Sequence, residues 1–289
     1  MKVAIYGNKY QDRHIDDLRL IFSTLKQEKA WIAVEQEFYD YLQCILPEME
    51  ADEIISGSRF TADLALSIGG DGTFLRTAAW IADKQIPIAG INTGNLGYLA
   101  EVQVGELANL LRNFGNGCYE IECRSIIEIS TNAGTALPNR FSLNEVAILK
   151  NASASMLKMS TTVDGKELTT YLGDGLIVST PTGSTAYNLS VGGPILHPLS
   201  RSFVISPIAA HSLTMRPLVL PDEMEIAIKT TSDRSQTFRL SIDGVSVSLP
   251  IGSQINIRRA THTIHLLKCS KHDFARTLRT KLMWGADTR

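Results

Sequence analysis

The stretch Asp63-Leu64-Ala65-Leu66-Ser67-Ile68-Gly69-Gly70-Asp71-Gly72-Thr73-Phe74-Leu75-Arg76-Thr77 decides the fold. Leu64 to Ile68 is a short apolar run and reads as a buried strand. It stops at Gly69-Gly70-Asp71-Gly72, and a helical pattern begins at Thr73. A glycine-rich turn from strand into helix lets backbone N–H groups approach a phosphate with no Cβ in the way. The helix N-terminus behind it favours anions. Asp71 is the unusual residue here, because a carboxylate beside a polyphosphate is repelled unless it holds a metal or takes a proton. That chemistry points toward phosphoryl transfer to a hydroxyl. The competing reading is a tight βα turn in which Asp71 only caps the helix.

Outward from this turn, the first half alternates strand and helix. Val3 to Tyr6 and Trp31 to Val34 read as strands. His14 to Ala30 sets Ile15, Leu18, Ile21, Phe22 and Leu25 on one helical face, and Phe38 to Ile45 forms a second helix. The acidic patch Glu48, Glu50, Asp52 and Glu53 reads as a solvated loop. Pro87 to Ile91 is a further buried strand, ending in the polar turn Asn92-Thr93-Gly94-Asn95-Leu96-Gly97. A helix carrying Leu107, Leu110, Leu111 and Phe114 closes the half. This alternation predicts a parallel, doubly wound sheet with helices on both faces and ligands at the carboxyl ends of its strands. Both polar turns fall there.

From Tyr119 the texture changes to strands: Ile126–Ile129, Phe141–Leu149, Met156–Val163 and Leu176–Ser179, then five more between Glu225 and Leu267. Asp164-Gly165 is a hairpin signal. The expected architecture is therefore an α/β N-terminal domain over residues 1–118 and a β-rich C-terminal domain over 119–267. Residues 268–289, helical from Phe274 to Met283, return to pack on the first domain.

With 289 residues, 44% of them hydrophobic, the chain can bury a sizeable core. A formal net charge of −2 supplies no whole-protein field for nucleic acid or acidic membranes, so neither is an expected partner. The basic C-terminal segment, eight Lys and Arg against two acids from Arg258 onward, reads as a solvated helix face. Cys44, Cys118, Cys123 and Cys269 show no metal spacing, and His197, His211, His262, His265 and His272 read as structural. With no signal-peptide pattern and no stretch of transmembrane length, a cytoplasmic location is expected.

The second unusual region runs from Gly173-Asp174-Gly175 through Thr180-Pro181-Thr182-Gly183-Ser184-Thr185-Ala186-Tyr187-Asn188-Leu189-Ser190 to Gly192-Gly193. Small residues permit close backbone approach, hydroxyls hydrogen-bond phosphate or ribose, and a tyrosine ring can stack on a base. A capped loop at a domain junction is the alternative. Asn144-Glu145, inside an apolar strand, is either a ribose-binding pair or an exposed polar step. Adjacent residues on a strand point to opposite faces, so one of the two should enter the core or a cleft.

Taken together, these motifs and Ser212-Leu213-Thr214-Met215-Arg216-Pro217-Leu218-Val219 resemble the ATP-dependent NAD kinase family over nearly the whole chain. The Gly-Gly-Asp-Gly turn alone is shared with lipid kinases and phosphofructokinases, whereas the other motifs are more specific. The resemblance implies transfer of the γ-phosphate of ATP to the 2′-hydroxyl of the adenosine ribose of NAD, with Asp71 as general base. It implies that Gly70, Gly72 and Arg76 face the nucleotide phosphates. It also implies that Asn144, Glu145, Asp174, Thr182, Thr185, Ala186, Tyr187, Asn188, Leu189 and Ser190 form the dinucleotide surface. A homodimer or homotetramer is implied, with the dinucleotide site near a subunit interface. Leu172 and Val245 stand where some relatives carry polar residues.

No GxxxxGK[ST] or GxGxxG motif is present. Triphosphate binding is therefore expected to rest on the Gly69–Gly72 backbone, nearby hydroxyls and a magnesium ion carried by ATP. Two other functions share these features. A lipid kinase would need an apolar acceptor pocket, which the hydroxyl-rich 180–190 segment does not suit, and a non-catalytic NAD(P)-binding regulator would have no use for Asp71.

Overall fold

The computed structural model describes residues 1–94, 97–151, 156–268 and 274–285. Asn95, Leu96, Cys269 and His272 lie outside the described residues. The chain separates into two compact units, residues 1–123 with 264–289 and residues 124–263.

In the first unit the strands are β1 (Lys2–Gly7), β2 (Trp31–Glu35), β3 (Glu53–Ile55), β4 (Leu64–Ile68), β5 (Ile88–Asn92), β6 (Val102–Gln103) and β7 (Glu120–Arg124). The helices are α1 (Ile15–Gln27), α2 (Gln36–Ile45), α3 (Asp71–Ile81) and α4 (Leu107–Gly115). Strand alternation divides the sheet's faces. Val3, Ile5, Leu64, Leu66 and Ile68 pack with Leu18, Ile21 and Leu25 of α1 and Leu107, Leu110 and Leu111 of α4. Ala4 and Ala33 point the other way, toward Phe60 and Trp80, the latter on α3. Each large aliphatic side chain fully buried this way is worth about 1.5–3 kcal/mol.

The second unit contains β8 (Ile127–Thr131), β9 (Phe141–Ser142), β10 (Glu145–Lys150), β11 (Leu157–Val163), β12 (Lys166–Gly173), β13 (Gly175–Ser179) and β14 (Ser202–Ile208). It continues with β15 (Leu218–Pro221), β16 (Ile226–Thr231), β17 (Thr237–Ile242), β18 (Val245–Pro250) and β19 (Gln254–Arg259), and a single helical turn, α5 (Tyr187–Ser190), lies between β13 and β14. The strands form two six-stranded sheets, ordered β15-β14-β13-β10-β17-β18 and β12-β11-β16-β19-β8-β9. Their apolar faces share one core, with Val146, Ile148, Leu176, Val178, Phe203 and Leu240 from one sheet and Ile129, Leu157, Met159, Ile228, Ile255 and Ile257 from the other.

The chain then re-enters the first unit as the mostly buried strand β20 (Ile264–Lys268) and as α6 (Phe274–Leu282), a helix with no buried residue. The first unit's sheet runs β3-β2-β1-β4-β5-β20-β7, with β6 beside β5. The pairs from β3 through β20 are parallel. Boundaries at 118/119 and 267/268 would leave β7 and β20 with the second unit; they lie in the first unit's sheet because they pair there.

Residues read as one strand, 141–149, divide into β9 and β10 around Leu143-Asn144. Glu53, read as loop, opens the edge strand β3, which pairs with Ala33–Glu35. Among the described residues no helix is long and apolar enough to cross a membrane.

Candidate functional site

In the first unit, β4 delivers the chain to Gly70, the N-cap of α3, and Asp71 is its first helical residue. The Asp71 side chain does not cap its own helix. It turns toward the segment after β5 instead. Oδ1 accepts the N–H groups of Leu99 at 2.9 Å and Ala100 at 3.0 Å, and Oδ2 accepts that of Tyr98 at 2.8 Å. Gly97 makes this possible, since a Cβ there would collide with the carboxylate. The glycine of the second polar turn thus serves the aspartate of the first.

Gly70 and Gly72 are exposed, and a Cβ on either would meet nothing within 4 Å. Space beside Asp71 is open on both sides in sequence. Arg76 is exposed one turn on, donating to Thr73 Oγ1 at 3.3 Å and to the Tyr6 phenol. Burial pushes the Tyr6 hydroxyl's pKa up, and the Arg76 charge opposes the rise. The turn after β5 is braced by Gln11, which is 2% exposed. Its amide donates to Ile68 O, and its oxygen accepts from Thr93 Oγ1 at 2.8 Å. Sequence reading passed over Gln11 and Tyr98. The Tyr98 hydroxyl is buried with no partner among the described residues, and burial, then the Asp71 charge, raises its pKa.

The second unit gathers a separate group. Asp243 and Gly244 form the two-residue turn between β17 and β18, both at positive φ (+46° and +84°). The Asp243 carboxylate accepts N–H bonds from Leu143 (2.8 Å), Asn144 (2.9 Å) and Glu145 (3.1 Å), and the Ser142 hydroxyl at 2.6 Å. Asp243 anchors the chain between β9 and β10, a role that sequence reading passed over. Of the predicted pair, Glu145 is buried at 9% exposure and Asn144 is half-buried. Burial and the neighbouring Asp243 raise the Glu145 carboxyl to about 8, against the Tyr187 N–H that donates to it. Burial also raises Asp243, opposed by its four donors.

The segment after β13 folds onto this pair. Thr180 N–H donates to Asn144 O, and the Thr180 hydroxyl to Leu143 O. Gly183 lies so close that a Cβ would sit 2.2 Å from Asn144 O. Asn188 is fully buried. Its Nδ2 donates to Ser184 O and Pro194 O, and its Oδ1 accepts from Ser206 Oγ at 2.6 Å. Thr182 is buried too, its Oγ1 accepting from the buried Arg124 at 3.2 Å. These two side chains hold the segment. Thr185, Ala186 and Leu189 are half-buried, and Tyr187 and Ser190 are exposed.

Asp174 sits elsewhere, paired with Lys150 Nζ at 2.7 Å. Lys150 and Glu145 end β10, so at about 3.3 Å per residue Asp174 stands about 17 Å along the strand from the Tyr187 group. No single ring or ribose reaches both. Among the described residues no three His, Cys, Asp or Glu side chains converge as a metal cage.

Comparison with known proteins bears on this arrangement. Residues 17–119 match the ATP-NAD kinase N-terminal domain, and residues 143–269 the ATP-NAD kinase C-terminal domain. The NAD kinase of Bacteroides fragilis is 44% identical over 290 residues, covering all of both chains. The crystal structure of yeast NADH kinase complexed with NADH superposes with a TM-score of 0.90 at 22% identity, over 100% of this chain and 89% of that one. An NAD kinase from Archaeoglobus fulgidus in complex with ATP gives a TM-score of 0.70 at 25% identity, over 94% and 95%.

Proposed function

The chain belongs to the ATP-NAD kinase family, and from that premise we propose how its own residues divide the work. It is an NAD kinase, a phosphotransferase that takes ATP and NAD and uses an alcohol group as acceptor. Neither the lipid-kinase nor the regulator reading finds support among its relatives.

Phosphoryl transfer asks the protein mainly for alignment and charge neutralisation. Asp71 is the general base. A carboxylate offers about four lone-pair sites, and three are taken by the N–H groups of Tyr98, Leu99 and Ala100. The remaining one, on Oδ2, accepts the proton of the adenosine-ribose 2′-hydroxyl as its oxygen attacks the γ-phosphorus. The bond from that phosphorus to the bridging oxygen breaks, giving NADP and ADP. Three fixed hydrogen bonds keep Oδ2 in place and spare the reorganisation that a free side chain would undergo.

The triphosphate lies along the Gly70–Gly72 backbone, with Arg76 as its cation. The divalent ion, magnesium, arrives as part of the substrate, chelated by the nucleotide's own phosphates. The dinucleotide is met by Asn144, Glu145, Thr185, Ala186, Tyr187, Leu189 and Ser190. Thr182 and Asn188 shape that surface from beneath, and Asp174 serves the opposite end of the ligand. The working unit is a cytoplasmic homodimer or homotetramer.

The observation that carries this reading is the Asp71 carboxylate, fixed between two open glycines. Incubation of the protein with Mg·ATP and NAD, followed by enzymatic detection of NADP, tests it. No NADP above a protein-free control would end it.

A further inference from the structure

Glu145 holds a buried carboxyl oxygen, Oε2, with no hydrogen-bond partner among the described residues. The Tyr187 N–H donates to the same carboxyl, and Asp243 is the charged group whose field acts on it. Two buried carboxyls that feel each other's charge resist ionising together. Asp243 has four donors and keeps the charge. Glu145 has one and keeps the proton. A protonated carboxyl is a donor as well as an acceptor. Its O–H, on the oxygen that lacks a partner, is matched by an acceptor brought by a ligand.

We infer that Glu145 meets the dinucleotide as a neutral carboxylic acid, its Oε2 hydroxyl donating to an uncharged acceptor, a ribose oxygen or the carboxamide carbonyl, while Asp243 is the anion that keeps it protonated. The inference rests on the reading that Asn144 and Glu145 contact the dinucleotide. It also accounts for the electrostatics: a second carboxylate would repel the substrate's diphosphate, and a neutral acid does not.

The test is equilibrium binding of NAD, by calorimetry, to wild type, Glu145→Gln and Glu145→Ala between pH 6.5 and 9.5. A difference infrared spectrum of wild type against Glu145→Gln at pH 7 accompanies it. With the carboxyl titrating at about 8, wild-type affinity should fall about tenfold from pH 7 to pH 9 as the binding-competent fraction shrinks. Glu145→Gln, a neutral donor of similar shape, should bind about threefold more weakly at pH 7 and show no such fall. Glu145→Ala should lose about tenfold at every pH, the scale of one hydrogen bond. The infrared difference should contain a carboxylic C=O band that fades through pH 8.

A missing band together with a flat wild-type profile would overturn the protonation, while weakened binding by Glu145→Ala would leave the contact reading standing. Unaltered affinity in both variants, with the band present, would instead remove Glu145 from the dinucleotide surface, and the inference with it. The wild-type profile and its spectrum at varied pH decide the matter even if a variant folds poorly.

Discussion

A Cβ on Gly97 would stand 2.0 Å from Asp71 Oδ1. Two turns on different strands of one sheet therefore specify a single carboxylate position, one by supplying it and the other by leaving room and donating the N–H groups that follow. Gly97→Ala should push the carboxylate off those donors and lower kcat by about 100-fold, the low end of what a positioned base contributes. Steady-state kinetics beside a melting curve would separate this from unfolding, since the overpacking itself should cost only about 1–3 kcal/mol.

Asp71→Asn keeps the size of the side chain and removes the base. Its kcat should fall by about 10²–10⁴-fold, while the NAD dissociation constant changes less than about threefold, because the amide keeps a polar group at the same place. Wild-type-like turnover would take the proton-accepting role away from this residue.

Asn188→Ala tests the claim that this amide is scaffolding. The change strands Ser184 O, Pro194 O and the Ser206 hydroxyl in a dry environment. A loss of about 3 kcal/mol is expected. Denaturant titration reads it directly, and a loss under about 1 kcal/mol would contradict the buried network.

The sign of the Glu145 shift gives a pH dependence of stability. Its carboxyl is raised from its ordinary 4.5 to about 8. Between those values the folded state holds a proton that the unfolded state has released, so stability falls as pH rises through the window and levels off above it. The span is on the order of several kcal/mol. Glu145→Gln lacks this loss, so its melting temperature should overtake that of wild type progressively from pH 5 to pH 8. Parallel melting curves across that range would refute the shift.

Lys150 and Asp174 are 28% and 38% exposed, so their ion pair should contribute under about 1 kcal/mol to stability. Asp174→Asn should leave the melting curve in place within that margin and raise KM for NAD several-fold. An unchanged KM would remove Asp174 from the dinucleotide surface.

The two-unit architecture was legible because hydrophobic periodicity is local. Leu64–Ile68 is a fully buried strand and Asp71–Ile81 a helix, as their spacing dictates. Strands that lack an apolar stripe were not legible: β12 alternates few apolar residues, and β14 contains Pro207, which reads as a break. At the site, residue types singled out Asp71 but not the orientation of its side chain, because helix capping and long-range acceptance look alike in one dimension. The task of Asp243 was hidden for a related reason. Its donors are about 100 positions away in sequence, at 142 to 145, and no local pattern announces such a bond.

The hairpin closed by Asp243 and Gly244 also carries a constraint of its own. Ordinary hairpins diverge most freely in length, gaining or losing a residue at the tip with little consequence. Here the tip residue is itself the clasp on a neighbouring strand, so trimming or lengthening the loop would let go of residues 142–145 and shift the Asn-Glu pair out of register. Side chains along β17 and β18 can drift, whereas their count cannot.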